Sequence, residues 1–143
     1  MAAPFNKFYP FSNNLAQGAV DLDTDTLKVM LTNTLPVATD GVYGDLSATE
    51  LAPGNGYVTG GAPVTRLSAG EIGGFYTLVV ANTQFVAAGP MGPFRYPVLY
   101  SLNTSIVNKP LIGWWDYGSP LTLLEGAQFI VAFDPNLGVV NLQ

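Results

Sequence analysis

The sequence contains no cysteine and no histidine. Without cysteine there is no disulfide, no zinc–thiolate site and no thiol nucleophile. Without histidine the commonest general base and neutral-pH metal ligand is missing, so no Ser-His-Asp or Cys-His arrangement can be assembled. Charge is scarce too: Asp, Glu, Lys and Arg make up 10% of the residues, against about 25% in an ordinary globular domain. The basic residues are only Lys7, Lys28, Arg66, Arg95 and Lys109, none adjacent, and the net charge is −5. A phosphate backbone needs clustered cations, and an anionic bilayer would repel this chain, so neither nucleic acid nor membrane is an expected partner. No apolar run approaches the roughly 18 residues of a membrane-crossing helix. Residues 1–10 lack the basic-then-apolar pattern of a secretion signal, so the expected site of synthesis is a cytoplasm.

What is present is hydrophobic and heavily punctuated. The 143 residues are 48% hydrophobic, and a chain of this size buries about two-thirds of its unfolded surface, enough for one core without staples. The folded surface must then be built from Ser, Thr, Asn, Gly, Pro and exposed apolar groups, which suits burial against a partner. The 16 glycines and 11 prolines cut the chain into short segments, the pattern of strands joined by turns.

Residues 1–143 read as a single domain with an aromatic arm over residues 1–9, which carries Phe5, Phe8 and Tyr9. Their rings precede any element that could bury them all, so the arm is expected to be mobile alone and to order on docking. Pro10 can open a short helix that ends before Gly18, with Phe11 and Leu15 on one face. Residues 26–32 alternate, with Leu27, Val29 and Leu31 on one face and Lys28 and Met30 on the other. Residues 33–55 are loop-like, with one helical turn predicted at 45–51 and Asp45 as its cap. Residues 57–67 are extended but interrupted by Gly60, Gly61 and Pro63; residues 75–81 form a stronger strand, and 83–87 follow it. Phe94, Tyr96, Val98 and Tyr100 alternate through 94–102, with Pro97 marking that strand as an edge or a bulge. Further strands are expected at 111–117, from Leu121, across Phe129, Val131 and Phe133, and at 137–142 after a turn at 134–136. About eight short strands with a short N-terminal helix make a mainly β fold, an antiparallel β-sandwich or barrel.

Candidate chemistry is thin. Asp21, Asp23 and Asp25 suggest a calcium loop, but the glycine and glutamate that such a loop needs fall on Thr26 and Thr32, so a polar turn is favoured. Asp116, flanked by Trp114, Trp115 and Tyr117, is the best placed carboxylate for a glycosidase. Aromatic residues on strands are more often core or interface, so no catalytic residue, metal ligand or cofactor is assigned and the chain reads as non-enzymatic. Gly54-Asn55-Gly56 and Gly60-Gly61 lack the spacing of a phosphate loop and are turns. The strongest positive feature is aromatic: Phe94, Tyr96, Tyr100, Trp114, Trp115 and Tyr117 lie within 24 residues. Because Trp114 and Trp115 point to opposite faces, either one face carries a subunit contact or the strand is covered on both sides. The interface candidates are Phe5, Phe8, Tyr9, Arg95, Tyr96, Trp114, Trp115 and Tyr117.

Two long stretches carry a resemblance. One runs from Lys7-Phe8 through Leu15-Ala16 and Gly18 to Thr24-Asp25-Thr26-Leu27-Lys28-Val29-Met30-Leu31-Thr32-Asn33-Thr34 and Pro36-Val37-Ala38-Thr39. The other runs through Gly92-Pro93-Phe94-Arg95-Tyr96 and Val98-Leu99-Tyr100 to Lys109-Pro110-Leu111-Ile112-Gly113-Trp114-Trp115-Asp116-Tyr117-Gly118-Ser119. They resemble a group of small proteins encoded in the structural gene blocks of tailed bacteriophages. The resemblance implies a virion component on the capsid exterior, most like a head decoration or cement protein, made in the host bacterial cytoplasm. It also implies a major capsid protein as partner and a homotrimeric state. The alternative within the same reading is a tail, fibre or host-attachment subunit that binds cell-surface carbohydrate.

Overall fold

A computed structural model describes residues 4–133 and 140–142, the last three by their backbone alone. The fold is mainly β, antiparallel throughout and sandwich-like. Its elements are β1 (Asn6–Lys7), α1 (Tyr9–Ala16), β2 (Leu27–Thr32), α2 (Tyr43–Leu46), a 3-10 turn (Ser47–Thr49), β3 (Ala62–Pro63), β4 (Arg66–Ile72), β5 (Phe75–Val80), β6 (Thr83–Val86), β7 (Met91–Phe94), β8 (Tyr96–Ser101), β9 (Leu111–Trp114), β10 (Leu121–Leu123), β11 (Gln128–Val131) and β12 (Val140–Leu142). These strands outnumber the eight expected because several span only two to four residues. The turn expected at 134–136 lies outside the described residues.

Helix α1 starts with Pro10 in its first turn, where a missing N–H costs nothing, and buries Phe11. It ends in a Schellman arrangement: the Gly18 N–H donates to the Leu15 carbonyl (3.3 Å) and the Ala19 N–H to the Asn14 carbonyl (2.8 Å). Gly18 sits at φ +78, the left-handed position this motif requires. At α2 the Asp45 carboxylate does cap the turn, but from inside it, accepting from the N–H groups of Gly41 and Val42.

The organising layer is a five-stranded sheet in the order β1-β9-β8-β2-β3. Strand β2 alternates as its sequence predicts. Leu27, Val29 and Leu31 enter the larger core with Leu99, Ile112, Phe11 and the inner faces of β5, β6, β7, β10 and β11. Met30 enters a second core on the opposite face with Phe8, Leu46, Val98, Tyr100 and Leu111. Both faces of the central strands are therefore covered, and of the two readings left open for Trp114 and Trp115 the covered strand is the one realised. Trp114 packs on the second core and Trp115 on the first.

Three expectations are corrected. Residues 94–102 are not one strand. The chain pairs Phe94 with Leu121 in the β7–β10 ribbon, then crosses at Arg95 into β8, so Phe94 faces the larger core while Val98 and Tyr100 face the second. Strand β8 is central, not an edge. It tolerates Pro97 because the residue opposite, Leu31, sends its N–H to the Tyr57 hydroxyl (3.1 Å) and takes the Leu51 N–H on its carbonyl (2.8 Å), asking nothing of Pro97. Residues 57–67 are interrupted at Gly60-Gly61 as expected and hold the two-residue β3, but the strand that opens at Arg66, β4, runs beyond 67 to Ile72 and turns through Gly73-Gly74 into β5.

The N-terminal arm is also corrected: it is a core element. Asn6 and Lys7 pair with Trp114 and Gly113 of β9. The Phe8 ring is fully buried, 4.6 Å from the Trp114 ring. Phe5 lies so close over Gly113 that a Cβ there would stand 2.2 Å from its ring. The physical reason is that β9 would otherwise be a bare edge, with the Trp114 and Trp115 rings stripped of Phe8 and Phe5. Phe8→Ala should accordingly cost about 3–5 kcal/mol in urea denaturation, and removal of residues 1–8 should lower the melting temperature strongly. An unchanged melting temperature would mean that the arm is not part of the core.

Candidate binding surfaces

The sequence candidates separate once folded. Phe8 and Tyr96 are buried, and Phe5, Trp114 and Trp115 are half-buried. The Trp115 ring lies between Phe5 (5.4 Å) and Phe133 (5.7 Å). Tyr9 and Tyr117 are exposed, although Tyr117 still meets the Phe129 ring edge-on at 5.6 Å. The aromatic cluster is thus mostly an internal ladder, because covering both faces of the β8–β9 region consumes it.

Arg95 and Asp116 form a two-pronged pair, Nε to Oδ1 at 2.7 Å and Nη2 to Oδ2 at 3.0 Å, with the guanidinium 5.3 Å from the Tyr96 ring centre. Their backbones meet as well, since the Tyr117 N–H donates to the Arg95 carbonyl. The guanidinium, then the Gly118 N–H, hold the Asp116 carboxyl below its ordinary value. A glycosidase acid needs the opposite shift, so Asp116 is poorly set up to donate a proton.

The Asp-x-Asp-x-Asp run is a polar turn, as favoured. Asp21 Oδ1 accepts from the N–H groups of Asp23 (2.9 Å) and Thr24 (3.3 Å). Asp25 closes the turn, its Oδ2 accepting from the Asp21 N–H (2.9 Å), and ties it to the end of β8 by accepting from Ser101 Oγ (2.7 Å) and Asn103 Nδ2 (2.9 Å). Among the described residues no group of three Asp or Glu side chains is placed to hold a metal ion.

Glu50 is a centre that sequence reading passes over. It accepts from the hydroxyls of Tyr43 and Tyr57 and from the Gly60 N–H (2.7 Å). Tyr43 stacks on Tyr100, whose hydroxyl donates to the Gly60 carbonyl (2.6 Å). Burial first, then the Glu50 carboxylate, push the Tyr43 hydroxyl up to about 12 and raise Tyr57 further. These partners lie on a long loop, and nothing in their spacing announces the convergence. The set ties residues 43–60 to β2.

The surface features that sequence reading missed are apolar. Leu67 of β4, Ile72 and Phe75 beside its Gly-Gly turn, and Val86 and Ile130 on the outer face of the β6–β11 ribbon are all exposed. Strand β4 pairs only with β5 among the described strands. The Gly73-Gly74 pair flanked by β-formers was the available signal for this hairpin. No known protein family, curated protein or solved structure matches the chain.

Two measurements follow. Tyr57→Phe strands the Leu31 N–H inside the protein and should cost about 1–3 kcal/mol in urea denaturation, with faster hydrogen exchange at Leu31. The Arg95–Asp116 pair is lost in acid. Because the folded pKa of Asp116 is depressed, its contribution is complete above 3.8, the unfolded value, and lost as pH falls through the lower folded one. Asp116→Asn should therefore be less stable than the parent at neutral pH, and the difference should close well below 3.8; a difference independent of pH would exclude the ion pair as its source.

Proposed function

We propose that this chain is a non-enzymatic structural protein of a bacteriophage virion, which decorates and stabilises the capsid exterior by bridging major capsid subunits as a homotrimer. The observation that carries the reading is the pairing of sparse charge with apolar groups along the β4–β5 hairpin, where Leu67 and Ile72 are 63% and 65% exposed. Such a surface gains by being covered, and an open strand edge offers a row of backbone donors and acceptors to an added strand. The resemblance of blocks within residues 7–39 and 92–119 to phage structural proteins, read from the sequence alone, leads to the same reading. The hairpin, and not the N-terminal arm, is the docking element, since the Phe5 and Phe8 rings of the arm serve the core. The carbohydrate-binding alternative has less support, because the tryptophan rings that would stack on sugar are packed against Phe5, Phe8 and Phe133.

Many weak contacts repeated over a shell would hold it against internal pressure, each copy adding to the effective concentration of the next. Particles of the encoding phage, separated into filled heads and free tails, should carry the protein on heads in many copies. Its confinement to tails, or its absence from particles, would overturn the assignment. An Ile72→Asp and Phe75→Asp variant should fold yet bind protein-stripped heads more than tenfold more weakly, as expected for losing the burial of two apolar side chains.

A further inference from the structure

Between the end of α1 and the hairpin lies a surface pocket of about 370 Å³, walled by Leu15, Val20, Leu22 and Tyr76 and carrying Asp21 and Asp23. This volume falls within the range of sites that hold small ligands or a single large side chain. Among the described residues, the polar side chains in its lining other than the Tyr76 hydroxyl are the two carboxylates. Asp21 is held ionised, chiefly by its hydrogen bond with the Thr24 side chain and then by the Asp23 N–H. The Asp23 carboxylate receives no hydrogen bond from any described residue. Arg66 is the cation whose field reaches Asp21 and Tyr76, but its Nε and Nη2 are committed to the carbonyls of Leu22 (2.8 Å) and Asp25 (2.6 Å). Among the described residues, two carboxylates against one engaged guanidinium leave this apolar cavity net negative.

An apolar wall below and an anionic one beside it select a ligand with a hydrocarbon stem and a cationic head, and an aromatic wall favours the cation further. We infer that this pocket receives a lysine side chain of a partner protein, its four-carbon stem against Leu15, Val20 and Leu22 and its ammonium against Asp21 and Asp23. The inference rests on the reading that the chain works by docking on another protein, and it names the chemistry of the docked residue. It complements the β4–β5 hairpin, since Tyr76 stands on β5 directly opposite Glu71 of β4.

The test uses the full chain, labelled with ¹⁵N, and follows amide shifts on titration with n-butylammonium, n-butanol and butyrate. Two blocked peptides, Gly-Gly-Lys-Gly-Gly and its ε-acetylated form, complete the set. Butylammonium and the lysine peptide should shift the amides of Leu15, residues 20–23 and Tyr76, butanol should bind more weakly, and butyrate and the acetylated peptide should not bind. Asp23→Asn should weaken the lysine peptide about threefold, the scale of a single exposed ion pair, and added salt should weaken it likewise. Unmoved pocket amides, or butanol binding as well as butylammonium, would overturn the inference. Shifts with butylammonium but none with the lysine peptide would also overturn it, by assigning the pocket to a free amine. Because the titration involves no virion, its failure leaves the head-and-tail fractionation standing, and the reverse holds equally.

Discussion

Strand β2 has no solvent face, and its backbone must be satisfied along both edges while its side chains are covered on both sides. Along one edge β8 pairs with it from Leu27 to Thr32. Along the other, β3 reaches only Lys28 and Val29. Beyond that point the Tyr57 hydroxyl, the Leu51 N–H and a bridge between Thr32 and Glu50 take over. A buried backbone group left unpaired costs as much as a lost hydrogen bond or more. The path of residues 43–60, and the Glu50 carboxylate that gathers two tyrosine hydroxyls and the Gly60 N–H, follow from that requirement.

Covering the two faces of the same sheet accounts for most of the aromatic residues. Phe8, Tyr43, Tyr100 and Trp114 close the smaller core, while Phe5, Trp115 and Phe133 close one margin of the larger. Aromatic rings bury the most area per residue, and pairs at tilted or edge-on angles add to it. A cluster that looks like a recognition surface when read along the chain is therefore the cover of a doubly buried sheet. What remains for recognition is the periphery: the β4 edge, the outer face of the β6–β11 ribbon and the pocket at the end of α1.

Low charge acts on the same periphery. Among the described residues the one ion pair joins Arg95 to Asp116, next to the crossing where the chain leaves β7 for β8. Arg66 spends its donors on two backbone carbonyls, which pins the Asp21–Asp25 turn against β4. With two of five cations so engaged, few charges are left to keep the apolar edges solvated, and the carboxylates of Asp21 and Asp23 stand largely uncompensated.

The alternation of Leu27, Val29 and Leu31 against Met30 was legible along the chain because strand period and burial agree there. So were helix α1, which combines Pro10, an i,i+4 apolar pair and Gly18, and the polar nature of the Asp-x-Asp-x-Asp turn, where short side chains bond their own backbone. The mainly β class followed from turn spacing and from the lack of long periodic segments. Local pattern could not say that alternation breaks at Arg95, because Phe94 and Tyr96 keep their spacing while changing sheets. Nor could it say that Phe8 lies in a core, since the groups that bury it, Met30, Trp114 and Leu111, are 22 or more residues away. By itself the sequence determined the mainly β class, the alternation of β2, helix α1, and that acid–base chemistry through histidine or cysteine is excluded. The tertiary structure alone decided which rings are inside and which edges are bare, because burial is a property of segments brought together across the chain and not of any one of them.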